Sequence, residues 1–514
     1  MPRYLLASTA LLAMATAAHA EDVTTKKTTP LLTSTIRNGA ADAINVTKDG
    51  SVVLTSGTAV TMDSNHNVTN AGTITIANVN GARGIVANAG TTGDIVNSGT
   101  ITLDEPYTPT DDDKDGDLDG PFALGSNKIG IRTEGDHTGK ITQSGTITVE
   151  GNDSAGISLG GKLTGNFTHD GKTSVLGDNA VGVKTGQIDG NVGLAGTVQA
   201  QGRNAVGARF GGDINGAMVV QGQIVSTGYR YPTPPADPSK LDADDLLQGG
   251  SAIVIEGNVT GGIVLAVAPK DSDPKNDDED GDGIPDATEG AAKVQTYGKA
   301  PAIVIGSATR DIAIGPVANT ASKYGLQIDG TVEGHGLYAG MDGNGVAIGG
   351  LGGKVTIANG IGVSGTVTAT SKDAAATALR LGSGAATPLI QNAGTISASG
   401  AQAVAVRVDA GASLPTLRNS GTIKAAAVNE NGSAIAIGDA SGTLNLVENS
   451  GTISATGAKA GSGRNVAIDL SKAAGSVTVK QTQVGAGFTA PAILGDILLG
   501  GGNDLVDIAD GTMT

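Results

Sequence analysis

Residues 278–289 carry oxygen donors at intervals that suit one task. In a twelve-residue frame Asp278, Asp280, Asp282, Asp286 and Glu289 stand at positions 1, 3, 5, 9 and 12. Gly283 takes the sharp turn at position 6, and Ile284 takes position 7, where a main-chain carbonyl serves. Carboxylates so spaced curl around a hard divalent cation, and the last one closes the shell with both oxygens. The expected ion is Ca2+ in a structural role. A second run, Asp111, Asp113, Asp115, Asp117 and Asp119, repeats the opening of that frame, with Phe122 where the closing carboxylate would stand. The competing reading of both runs is a solvated acidic loop without an ion.

The 278–289 run resembles the EF-hand loop and, in Asp282-Gly283-Ile284-Pro285-Asp286, the thrombospondin type-3 calcium repeat. It departs from the EF-hand in having no flanking amphipathic helices, and Pro285 supplies no backbone donor. Gly500-Gly501-Gly502-Asn503-Asp504-Leu505-Val506 is similar to the calcium-binding nonapeptide of RTX toxins, but that arrangement needs tandem copies. A single copy reads as a chain corner.

Covalent chemistry has few candidates. The chain has no cysteine, so thiol catalysis is excluded. His66, His137, His169 and His335 are scattered, and no serine stands at a strand-to-helix nucleophile elbow. No catalytic residue is assigned. Charge excludes a further class. Residues 104–120 hold eight acids and one lysine, and residues 270–289 nine acids and two lysines, so each run carries −7 of a total of −17. The scaffold is close to neutral, and nucleic acid, which demands a basic footprint, is not an expected partner.

The elements that must position these runs are short and repetitive. Three patterns recur in fixed order: Gly156-Ile157-Ser158-Leu159 then Val181-Gly182-Val183 and Val206-Gly207-Ala208; single apolar residues Ile141, Phe167, Val192 and Met218; and Gly145-Thr146-Ile147, Gly171-Lys172-Thr173, Gly196-Thr197-Val198 and Gly222-Gln223-Ile224. Every column has a period of 25 or 26 residues, with Thr173 a polar intruder among Ile147, Val198 and Ile224. A fixed period is the mark of a repeat architecture. Each pattern has strand alternation and none is long enough for a helix. Three strands and three corners make one turn of a coil, and stacked coils pair their strands in parallel. The expected fold is all-β, a right-handed parallel β-helix of about 15 coils, roughly 70 Å long.

Asn70-Ala71-Gly72-Thr73-Ile74, Asn97-Ser98-Gly99-Thr100-Ile101, Asn392-Ala393-Gly394-Thr395-Ile396, Asn419-Ser420-Gly421-Thr422-Ile423 and Asn449-Ser450-Gly451-Thr452-Ile453 are one word repeated. Stacked in register, its asparagines form a ladder of side-chain amides. Ala405, Ala436 and Ala467 repeat at 31 residues. Three insertions, 104–122, 228–248 and 269–291, break the period at corners, where solenoids acquire function. The first two are expected on one edge of the sheet built from the glycine-led words, about four coils apart, and the last on its opposite edge. The middle one, with Tyr229, Tyr231, Pro232, Pro234, Pro235 and Pro238, reads as a stiff projection.

Residues 1–20 read as a signal peptide: Arg3, an apolar run from Tyr4 to Ala18, and the small-residue site Ala18-His19-Ala20. Residues 21–44 form an N-terminal cap, and 45–514 the β-helix. An exported chain without cysteine either needs no staples or must cross a pore unfolded.

Leader, cysteine-free glycine-rich coils, the repeated Asn-Ser-Gly-Thr-Ile word and Leu494-Gly495-Asp496-Ile497-Leu498-Leu499-Gly500 together resemble the passenger of a bacterial autotransporter of type V secretion. The resemblance implies an adhesin or structural spacer at the cell surface or outside the cell, with a cell-surface or matrix ligand. It also implies attachment to the outer membrane through a C-terminal β-barrel that these 514 residues do not include. The strand near Leu505–Ile508 is expected to present a bare edge for end-to-end self-association. The alternative is a secreted β-helical polysaccharide lyase or hydrolase, since parallel β-helices also host pectin and pectate lyases. Two per cent aromatics and no tryptophan argue against sugar-stacking platforms, so a non-enzymatic role is expected.

Overall fold

Thr146–Glu150 alternates half-exposed and buried residues, and the same alternation recurs in Thr197–Gln201 and Thr366–Ser371. A strand with one apolar face must cover that face, and here it does so against the other walls of its own coil. The computed structural model describes residues 20–514 except 115, 117, 269, 271, 278, 280–285, 287–289, 319 and 486. The chain builds three long parallel sheets of 16, 17 and 16 strands. We call them A, C and B, so that the chain meets A, B and C in turn. One coil runs Ile141–Gln143 in A, Thr146–Glu150 in B and Ala155–Thr164 in C, and Phe167–His169 then opens the next rung of A. Every described strand pair is parallel, with equivalent residues in register: Ile141, Phe167, Val192 and Met218 lie in one row. The fold is a parallel β-helix, and a further sheet of three strands lies along one side. Winding starts ahead of the repeated words, because Glu21–Val23 already pairs with Ile44–Val46.

The interior is a single apolar column of Ile, Val, Leu and Ala, each wholly or almost wholly buried. Each large branched side chain there contributes roughly 1.5–3 kcal/mol. The A–B corner explains the invariant glycine of the words. A Cβ on Gly145 would stand 2.0 Å from the carbonyl oxygen of Gly99, on Gly222 1.9 Å from that of Gly196, and on Gly421 2.1 Å from that of Gly394. Coils held at hydrogen-bonding distance leave no room there for any side chain.

The amide ladder forms as the words imply. Asn70 Nδ2 donates to Asn97 Oδ1 at 2.7 Å and Asn97 Nδ2 to Gln143 Oε1 at 2.6 Å. Asn392 donates to Asn419 at 2.7 Å, Asn419 to Asn449 at 2.8 Å, and Asn449 to Gln481 at 3.3 Å. Between the two segments the row is apolar, passing through Leu194, Val220, Leu265, Ile328 and Val363. At the junction stands His169, wholly buried, with Nε2 2.8 Å from Thr173 Oγ1. Thr173 is therefore the hydrogen-bond partner of an interior imidazole, which accounts for its place in an apolar column.

Candidate functional site

The two insertions that follow sheet B come together. Loop 104–122 leaves after Thr100–Leu103 and loop 228–248 after Gln223–Thr227, four rungs on and roughly 19 Å along the axis. The root of the first is fixed by a buried lysine. Lys128 Nζ reaches the Asp104 carbonyl at 3.1 Å and Glu105 Oε2 at 3.5 Å, while Glu105 accepts the Gly125 N–H at 2.7 Å. Its tip closes as a small hairpin, with Thr110 bridged to Asp119 and the Asp119 N–H donating to the Thr110 carbonyl at 2.8 Å.

The second loop does not project, which corrects the expectation of a stiff arm. Arg230, with only 8% of its side chain exposed, folds it down: its guanidinium donates to the Gly120 carbonyl at 2.6 Å and stands 3.5 Å from both Asp244 and Asp245. The same guanidinium covers the Phe122 ring, 4.9 Å from its centroid. The Leu118 N–H donates to Tyr231 Oη at 2.9 Å, the Gly120 N–H to Asp244 Oδ2 at 2.7 Å, and Tyr338 Oη to the Tyr231 carbonyl at 2.6 Å. Tyr229 packs edge-on against Tyr338 at 4.8 Å. Burial, with Tyr229 and Asp245 nearby, pushes the Tyr338 phenol up to about 12, so it remains a donor at any ordinary pH. Proline stiffness shapes this loop, including the turn Pro238–Lys240, but a desolvated arginine with aromatic support decides its direction.

This docking pools carboxylates. Ligand atoms of Asp111, Asp113 and Asp119 lie within 4.8 Å of one another, and so do those of Asp119, Asp242 and Asp244. These clusters could hold a metal ion. Asp111, Asp113 and Asp119 fall at positions 1, 3 and 9 of the expected frame, whereas Asp115 and Asp117 lie outside the described residues. The two groups share Asp119, and the other loop contributes Asp242 and Asp244. Sequence reasoning overlooked these two; the one available signal was Asp242-Ala243-Asp244-Asp245 beside a proline-rich stretch. Burial and the adjacent Asp242 carboxylate hold the Asp244 carboxyl above its ordinary value. A hydrogen bond with Asp244 holds Asp242 below its own. Crowded like charges of this kind are relieved by a proton or a cation.

The 278–289 frame is described only in part. Asp278, Asp280, Asp282, Ile284 and Glu289 lie outside the described residues. Asp286 Oδ1 accepts the Glu279 N–H at 3.1 Å, and Glu279 Oε1 caps the Ser272 and Asp273 N–H groups at 3.1 Å each. The insertion lies between Ile263–Leu265 of sheet A and Lys293–Tyr297 of sheet B, at the glycine corner.

Catalytic geometry is not assembled among the described residues. Ser64 Oγ lies 3.0 Å from His66 Nδ1, but the Asp63 carboxylate binds Ser34 and Thr33 instead of the imidazole. Gly156-Ile157-Ser158-Leu159-Gly160 has the letters of a nucleophile motif, yet it lies within the strand Ala155–Thr164 and not at a strand-to-helix turn. His335 stands 3.6 Å from Glu333 and stacks on Tyr297 at 5.1 Å. Two wide clefts of about 590 and 670 Å³ follow the glycine corner, and neither is lined by a carboxylate or a histidine.

No protein-family model, curated protein or solved structure matches the chain.

Proposed function

We propose that the chain is the exported passenger of an autotransporter-type system, an adhesin or spacer at the cell surface, whose paired loops are set by Ca2+. The observation carrying this reading is the meeting of two insertions from rungs four apart, which pools Asp111, Asp113, Asp119, Asp242 and Asp244 on one corner. A long solenoid presents such a corner away from its anchor. Millimolar calcium outside the cell suits a site of modest affinity, since extracellular modules bind at about 10⁻⁴–10⁻³ M. The loops then remain undocked during export and set afterwards. The leader, the cysteine-free composition and the repeated words support export.

Calcium titration by calorimetry tests the site. Wild type is expected to release heat of binding, and Asp242→Asn/Asp244→Asn to lose at least one binding event. Identical heats in both would remove the loop junction from the proposal. A screen of acidic polysaccharides tests the role: adhesion without turnover is expected, and turnover would favour the lyase or hydrolase reading instead.

A further inference from the structure

The outer face of sheet C carries a row of cations that the loop junction does not use. Arg132, Ser158, Lys184 and Arg209 occupy one outward position in successive rungs, and Arg83 stands one rung earlier on the strand paired with Ile129–Thr133. Arg83, Arg132, Ser158 and Lys184 line a cleft of about 430 Å³. Two carboxylates also line it, so three cations face two acids: Glu134 pairs with Arg132 at 2.8 Å, and Asp153 accepts from the neutral Asn179 amide at 3.0 Å and keeps its charge. Arg209 is neutralised by a two-pronged pair with Glu256 at 2.8 Å.

Arg83 and Lys184 are different. Neither is in a salt bridge among the described residues, and Lys184 is exposed. Arg83 Nη1 spends its hydrogen bonds on the Ala82 and Asn127 carbonyls. Burial, and then the charge of Arg132, hold the Arg83 guanidinium below its ordinary value. Like charges packed together with too few carboxylates gain from an added anion.

Spacing selects the kind of anion. Arg132 and Lys184 stand two rungs apart, roughly 10 Å along the axis, and Arg83 lies one rung before Arg132 and three residues aside along the strand. A compact anion would touch one or two of them. A linear polymer with an acid group on successive rings touches the row, and the Ser158 hydroxyl offers a partner for ring hydroxyls. We propose that this face binds an extended acidic polysaccharide, its carboxylate or sulfate groups seated on Arg83, Arg132 and Lys184. The proposal is independent of the cation site.

The experiment passes the full chain, in a calcium chelator, over immobilised alginate, with dextran as neutral reference and a single-stranded oligonucleotide as the rival polyanion. Alginate binding is expected at about 50 mM salt and should weaken at least about tenfold by about 200 mM. Lys184→Glu, a change at an exposed position, should weaken it at least tenfold, while Lys424→Glu, an exposed lysine of sheet B, should leave it unchanged. Circular dichroism verifies that both variants fold. Absence of alginate binding, equal binding by Lys184→Glu, or tighter binding of the oligonucleotide would each overturn the proposal.

Discussion

His169 joins a polar row to an apolar one, and its chemistry follows from that position. Its Nε2 meets Thr173, and burial depresses its pKa to about 4. The folded value lies below the unfolded one, so above pH 6.5 the imidazole is neutral in both states and costs nothing. Between pH 6.5 and about 4 the unfolded chain holds the extra proton, and stability is lost as pH falls, by about 3 kcal/mol in all. Comparing urea midpoints of wild type and His169→Leu from pH 7.5 down to 4.5 should show the wild type declining more steeply. Thr173→Val would restore the apolar column and leave the imidazole without its hydroxyl. It should therefore destabilise by about 1–3 kcal/mol by urea titration, although it matches Ile147 and Val198 in type. A stabilised Thr173→Val would remove the His169 pairing as the reason for that residue.

Corners and loops follow a different logic, in which backbone proximity matters more than side-chain preference. Gly421→Ala places a methyl 2.1 Å from the Gly394 carbonyl, and a rung fixed by hydrogen bonds on both sides cannot retreat. A loss of about 3 kcal/mol or more is expected. Gly475→Ala, with nothing within 4 Å, should stay within about 0.5 kcal/mol of wild type in the same denaturation series. In the insertions the deciding contact is Arg230. Arg230→Met removes the charge facing the buried Asp245, and breaking such a pair costs about 3–5 kcal/mol locally. Amide hydrogen exchange should then quicken across 104–122 and 228–248 while the sheet B strands remain protected. Slow exchange in both loops of Arg230→Met would mean that the tyrosines alone hold them.

Across the whole molecule, stability is spread over rungs that each touch only their neighbours, so removing a ligand from a corner loop should not propagate far. With calcium at the proposed loop junction, chelation is expected to raise exchange in the two docked loops and leave the far-ultraviolet circular dichroism unchanged. Melting of the sheets on chelation would place the ion inside the fold's own stability. Much of the winding was legible because side chains repeat with the coil: the rows of Ile141 and of Asn392 follow directly from their spacing. Docking of the loops was not legible, because Arg230 and Gly120 are 110 residues apart and share no periodic relation.

Periodic words determined by themselves that the chain winds, where glycine must stand and which asparagines stack, since each of these is a contact between equivalent residues one period apart. Tertiary structure alone decided that Asp242 and Asp244 join Asp119, that Thr173 serves His169, and that Arg83 joins Arg132 and Lys184 at one cleft. Those meetings depend on how aperiodic residues are oriented once the coil is closed, and no local spacing encodes that orientation.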